Sequence, residues 1–255
     1  MSVKSSGKIF AYVWIFFWVA LSTGFGFRHL DFHLPQTLGA PDFNHWFGFD
    51  AFGRDLGVTV LRASSRSLIF ALMSVAISLA LAIGLGSGLA LIGTRAQFFF
   101  ARVLDGFLAF PSLLFALALA SIRGPGWDTL LIALLLGILP PFVRLVFARA
   151  RELLVEDYVV AAIGMGAGKL TIIRNHLMPS LVSICRIKAP LLFAHALLAE
   201  ATLSFLGIGA PMGNDTWGSL LAQSKDYLIE APHIALVAGI PLVLTLLSLQ
   251  KISES

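Results

Sequence analysis

The chain reads as an all-α, polytopic membrane protein with about six transmembrane helices, and three observations point there. Hydrophobic residues make up 58% of its 255 positions and charged ones only 13%, with a mean hydropathy of +0.88. That is too apolar for a water-soluble domain of this length. Apolar runs of about 20 residues, the length that crosses a bilayer, recur along the chain. Lys and Arg fall mostly on one side of the resulting alternation, so positive-inside bias explains the net charge of +4 better than nucleic-acid binding does. The expected organisation is a first span with its outer loop over 1–67, then a five-span core over 68–255 carrying a polar cytoplasmic loop at about 148–179.

Lys4 and Lys8 precede the apolar run 9–27, which is longer than a signal-peptide core and lacks an A-x-A-like cleavage site. It is expected to be an uncleaved first span with the N-terminus in the cytoplasm. Residues 28–67 form a polar loop holding Asp31, Asp42, Asp50, Asp55, His29, His33 and His45. Their spacing fits no compact ligand set, so no metal is expected.

The second span, 68–92, contains Gly84 and Gly88, a G-x-x-x-G pair that lets another helix approach closely. A short loop with Arg95 and Arg102 leads to a third span over 103–122, interrupted by Pro111. Arg123-Gly124-Pro125-Gly126-Trp127 is a tight turn with an interfacial aromatic. The fourth span, 128–147, must kink or start anew at Pro140-Pro141. The fifth runs over 181–206, a Gly-, Pro- and acid-rich loop over 207–232, and the last span over 234–249. Alternating the loops puts Lys4, Lys8, Arg95, Arg102, Arg149, Arg151, Lys169, Arg174 and Lys251 on one side. Arg28, Arg54, Arg62, Arg123 and Lys225 fall on the other, among more numerous acids. The first side is the cytoplasm, so both termini face inward. The single cysteine, Cys185, excludes an intrachain disulfide and reads as packing.

The polar island 148–179 holds the densest charge. Its Gly164-Met165-Gly166-Ala167-Gly168-Lys169 is no phosphate-binding loop, because Ile163 and Leu170 stand where a Gly and a Ser or Thr are required. Glu156 and Asp157 favour a helix start, and Ala161 and Ala162 allow close approach by a partner. Gly164, Gly166 and Gly168 then break the helix so that the chain turns back. Leu153, Leu154, Tyr158, Val159 and Ala162 supply an apolar face. A short helix projecting from two membrane helices in this way is a lever.

Glu200 is the one carboxylate inside an expected span, where burial is costly. Ala196, Glu200 and Ser204 share a face with Gly207 one turn on, placing Glu200 either at a subunit interface or outer gate, or in an interhelical hydrogen bond. His195 lies about 140° away around the helix, so the two cannot act together. An intramembrane enzyme is therefore a distant reading, and a membrane scaffold another.

Three further motifs join the island in a resemblance. Val160-Ala161-Ala162 with Gly166 and Pro179 resembles the E-A-A loop by which ABC importer permeases engage their ATPase, with Val160 in place of Glu and His176 in place of a hydrophobic residue. Asp50-Ala51-Phe52-Gly53-Arg54-Asp55 resembles D-D-L-G-R-D, and Asp105 to Leu114 resembles D-x-x-L-A-F-P-x-L-L. Glu200 to Gly209 is similar to E-A-x-L-S-F-L-G-L-G, followed by Thr216-Trp217-Gly218 for S-W-G. Together these resemble the C-type permease subunit of the dipeptide, oligopeptide and nickel ABC importers. The resemblance implies a type I importer permease fold in a bacterial inner membrane. It implies a homologous permease subunit, two ATPase subunits and a periplasmic solute-binding protein as partners, with ATP and Mg on the ATPases and no cofactor on this chain. Coupling would then run through the 156–179 loop: Glu156, Asp157, Tyr158, Ala161, Ala162, Gly164, Gly166, Ala167, Gly168 and Pro179. Asp50, Gly53, Arg54, Asp55, Trp217 and Gly218 would face the binding protein, and Glu200, Ser204 and Gly207 would form an interface or gate. Di- or oligopeptides are the expected solute; nickel, glutathione or another small solute is the alternative.

Overall fold

The computed structural model describes residue 9 and residues 11–20, 37–209 and 213–254. Residues 10 and 21–27 of the expected first span lie outside the described residues, as do Lys4, Lys8, Arg28, His29, Asp31 and His33. The helices are α1 (Ala11–Ala20), α2 (Leu56–Ala90), α3 (Thr94–Ala109), α4 (Ser112–Arg123), α5 (Trp127–Leu154), α6 (Asp157–Gly164), α7 (Lys169–Phe205), α8 (Trp217–Ser224) and α9 (Pro232–Ser253). Four of them, α2, α5, α7 and α9, are long and apolar enough to cross a membrane, and α3 with α4 makes a fifth crossing if the bent pair is one span. The all-α membrane fold expected from composition is the fold observed.

The differences lie at the boundaries. The Asp55 side chain accepts from the Val58 N–H at 3.0 Å and caps α2 there, so the helix starts at Leu56, and a division at 67 falls inside it. Arg95 and Arg102 belong to α3 rather than to a loop. At its end Phe110 is extended (ψ 132°), as a residue before proline prefers, and Pro111 opens α4 at 83° to α3. A single interrupted span is thus replaced by a sharp elbow. Of the two outcomes expected at Pro140-Pro141, a kink or a fresh start, the fresh start does not occur: α5 runs through both prolines as one helix. The last spanning helix but one begins at Lys169, well before 181, because a wide π turn over Ile172–Leu177 carries the backbone past Pro179.

The bundle centres on α2, which packs along α5 and α7. Its close-approach glycine is Gly86: a Cβ there would sit 2.7 Å from Val146 Cγ1 and 3.0 Å from the Phe147 nitrogen. The expected pair, Gly84 and Gly88, has open space around both Cα atoms and faces a groove toward α3 instead. Two apolar cores define the two ends. Near the end of α5 that carries α6, called here the loop side, Val146, Ala150, Leu153, Val159, Ile172, Leu177 and Leu181 form one continuous cluster. On the far side Trp217 is fully buried and meets Trp18 edge to face at 5.5 Å.

Candidate functional site

The loop between α5 and α7 is built by ordinary chain reversal. Glu156 N–H donates to the Leu153 carbonyl at 3.2 Å, and α6 starts one residue later with Asp157 against its positive end. The end of α6 closes through Gly166 N–H to Ile163 O at 2.9 Å and Ala167 N–H to Ala162 O at 3.0 Å, with Gly166 at φ 86°. That is the left-handed position a glycine fills without strain. A turn of this kind returns the chain to α7, where Gly168 accepts from the Ile172 N–H at 3.0 Å.

The faces of α6 are divided. Val159 and Ala162 are buried and root it in the loop-side core with Leu153, Ile172 and Leu177. The opposite face and the adjoining turns expose Val155, Tyr158, Val160, Ile163, Met165 and Leu170, with Met165 83% and Leu170 77% accessible. The two alanines therefore do different things: Ala162 packs inward and Ala161 looks out. Of the expected apolar face, Leu153, Val159 and Ala162 are buried. Tyr158 is half exposed beside His176, with ring centroids 6.0 Å apart. Gly164 and Gly168 flank the turn in open space, Ala167 is half-buried, and Pro179 sits within α7 behind the π turn rather than at the tip.

On the far side most of the loop residues expected to face a partner are buried; only Asp55 is partly exposed. Asp50 and Arg54 are buried, and Arg54 donates from Nε to Asp50 Oδ2 and from Nη1 to Asp215 Oδ2, each at 2.6 Å. Gln223 donates to Asp215 Oδ1 at 2.9 Å, and Asp50 Oδ1 also accepts from the Phe52 and Arg54 backbone N–H groups at 2.8 Å. Every carboxylate oxygen of the two acids accepts at least one hydrogen bond, which is what lets the guanidinium sit out of water. Gly53 and Trp217 are buried as well, and Asp55 contacts His45 at 2.6 Å while capping α2. Gly218 lies so close to α7 that a Cβ would overlap the backbone of Ala201.

Glu200 is fully buried where α2, α7 and α8 meet, accepting from Ser204 Oγ at 2.7 Å, with the hydroxyls of Ser67 and Thr216 beside it. Its Oε2 has no partner in bonding geometry. Being enclosed by its own chain, it does not lie at a subunit interface. Gly207 does not extend the seam either: at φ 84° it terminates α7, its N–H donating to Ser204 O at 3.1 Å. Among the described residues no group of His, Cys, Asp and Glu is placed to hold a metal.

Sequence reasoning missed Asp215, Gln223 and Ser67, the last of which accepts the Trp217 N–H at 3.1 Å. The buried Arg54 pairs with two acids, and Asp215 two residues before Trp217 was the available signal for the second. It also passed over the basic groups within spans: Arg144, paired with Asp105 at 2.9 Å between α5 and α3, and Lys188 on α7.

Apolar spanning helices, with a short helix rooted in their core and showing hydrophobic side chains on its other face, define a membrane-embedded component. The chain belongs to the binding-protein-dependent transport system inner membrane component family, whose profile matches residues 80–255, and is a permease subunit of the ABC importer type. It is 38% identical over 220 residues to a protein named a peptide transport system permease in Brucella suis biovar 1, covering 84% of this chain and 72% of that one. It is 37% identical over 227 residues to a peptide permease of Brucella ovis (88% and 75%). Against the dipeptide transport system permease protein DppC of Alkalihalophilus pseudofirmus, identity is 33% over 219 residues, covering 86% and 72%.

Proposed function

We propose that this permease carries di- or oligopeptides delivered by a periplasmic binding protein, paired with a homologous permease and driven by two ATPase subunits that bind and hydrolyse ATP with Mg. The observation that carries the coupling role is the divided α6: one face locked into the core of α5 and α7, the other an apolar patch outside the spans. Such a patch on a charged loop is unstable in water and stable against a partner. The ATPases grip it around Tyr158, Ala161 and Met165, and their closure tilts α5 and α7 between inward and outward access. Arg149, Arg151, Lys169 and Arg174 on the loop side support a cytoplasmic position for it and for both termini. On the periplasmic side the Arg54 cluster shapes the surface from within, and the binding protein meets its exposed neighbours Phe52 and Trp46. The peptide assignment is supported by the names of the three relatives.

The test is a gentle solubilisation of the tagged chain, with mass spectrometry and ATPase assay of what co-purifies, beside Gly166→Asp. That position has open space, so the substitution acts on the φ 86° turn and on the surface rather than on packing. A second permease and two ATPases with the unmutated chain, and loss of ATPase or of coupled uptake with the variant, are expected. The unmutated chain recovered alone and inert would sink the lever. Reconstituted uptake of nickel or glutathione with no uptake of peptides would reassign the solute.

A further inference from the structure

A groove of about 660 Å³ runs between α4, α5 and α7. Its floor is apolar, with Leu134, Ile138 and Phe142, but one face of α7 puts a polar side chain into it at regular depth: Lys188, His195 and Thr202. They are seven residues apart, close to two helical turns, so they stand in a row about 10 Å from one to the next. All three are exposed, and neither Lys188 nor His195 has a hydrogen bond or ion pair with a described residue. No Asp or Glu is among the residues lining the groove. Measured from the far-side end of α7 at Phe205, His195 lies about 15 Å deep and Lys188 about 25 Å, against a hydrocarbon thickness of roughly 30 Å.

An imidazole at mid-depth and an ammonium near the loop-side mouth are costly against lipid, and intramembrane basic groups of this kind turn to water or to a partner charge. A lipid-facing helix has no reason to repeat a polar residue every second turn on one face, whereas a wetted wall does. We propose that this face of α7 lines the solute pathway, and that Lys188 and His195 make it selective for solutes carrying a carboxylate, such as the free C-terminus of a peptide. The carboxylate part rests on the peptide reading above; the wetted pathway does not. The row guides an anionic group along the wall without holding it, since at about 10 Å spacing in a wet groove the attraction is weak.

The assembled transporter is tested with Lys188→Cys and His195→Cys, the unmutated chain with its buried Cys185 giving the background. Each is treated with an anionic and a cationic water-soluble methanethiosulfonate and with a lipid-soluble maleimide. Both substituted positions are expected to react with the water-soluble reagents. With each rate divided by that reagent's rate toward a small thiol in solution, the anionic reagent is expected to react at His195→Cys, where Lys188 remains, at least about threefold faster than the cationic one, and added Lys188→Glu to reverse the preference. Reaction with the maleimide alone, or with none of the three, would show lipid or a covering helix at this face and overturn the pathway. Equal rates for the two charges would overturn the selectivity. In uptake assays Lys188→Gln should slow peptides with a free C-terminus several-fold more than their C-terminal amides; equal slowing of both would refute carboxylate recognition. If labelling behaves as expected but no peptide is carried, the solute assignment fails and the wetted basic wall stands.

Discussion

Arg54 joins two loops 161 positions apart in the chain through Asp50 and Asp215, with side chains 6% exposed or less. Its worth comes from pairing: the triad as a whole contributes little over a well-packed apolar one, but removing the cation alone strands two buried carboxylates. Arg54→Met should therefore destabilise the detergent-solubilised protein by about 3–5 kcal/mol, and adding Asp50→Asn and Asp215→Asn should recover much of it. Thermal unfolding followed by tryptophan fluorescence reads both, and a single variant as stable as the parent would show that the pair is solvated. The motif around Arg54 was legible in the sequence, its burial was not. A G-R-D loop looks like surface until the partner acid from the other loop is known, and that acid arrives only through the packing of α8 on α7. Glu200 was legible as a costly intramembrane acid, while its enclosure by α2 and α8 depends on Gly218 lying against Ala201, which spacing within α7 does not reveal.

Helix existence followed from hydropathy, and the ends followed from local chemistry that hydropathy averages away. Asp55 caps α2 earlier than the apolar run begins, and Pro111 turns the helix path through 83° because Phe110 is extended, while the paired prolines of α5 leave it continuous. The glycines of α2 make the same point in three dimensions. A G-x-x-x-G spacing marks a face that permits close contact without saying that a helix takes it. Here Gly86 takes it against Val146 and Phe147, and Gly84 and Gly88 do not. Gly86→Leu should push α2 from α5 and cost about 1–3 kcal/mol, as overpacking of a tight contact does. Gly84→Ala should be neutral or gain up to about 1 kcal/mol from helix propensity. Melting temperatures of the two variants, measured in the same detergent, check the pair, and equal losses would contradict the asymmetric contact.

Across the molecule the question is how a surface helix of eight residues moves spans several times its length. The loop-side core supplies the connection, because Val159 and Ala162 share one packed cluster with Val146 and Leu153 of α5 and with Ile172, Leu177 and Leu181 of α7. Close-packed interiors transmit displacement, and a void beneath the lever absorbs it. Binding and transmission then separate by face. Met165→Ser and Leu170→Ser remove exposed apolar side chains, so the permease should fold normally and lose its ATPases during purification. Val159→Ala leaves the outer face intact and deletes two buried carbons, worth about 2 kcal/mol. Its ATPases should remain bound while uptake per ATP hydrolysed falls several-fold. The measurement is paired uptake and ATP hydrolysis in proteoliposomes, with subunit content read from the same preparation. If Val159→Ala instead sheds the ATPases as Met165→Ser does, the two faces of α6 are not independent and the rooted-lever mechanism is wrong. If it transports with unchanged coupling, the force reaches the spans through the backbone of the two turns rather than through the core.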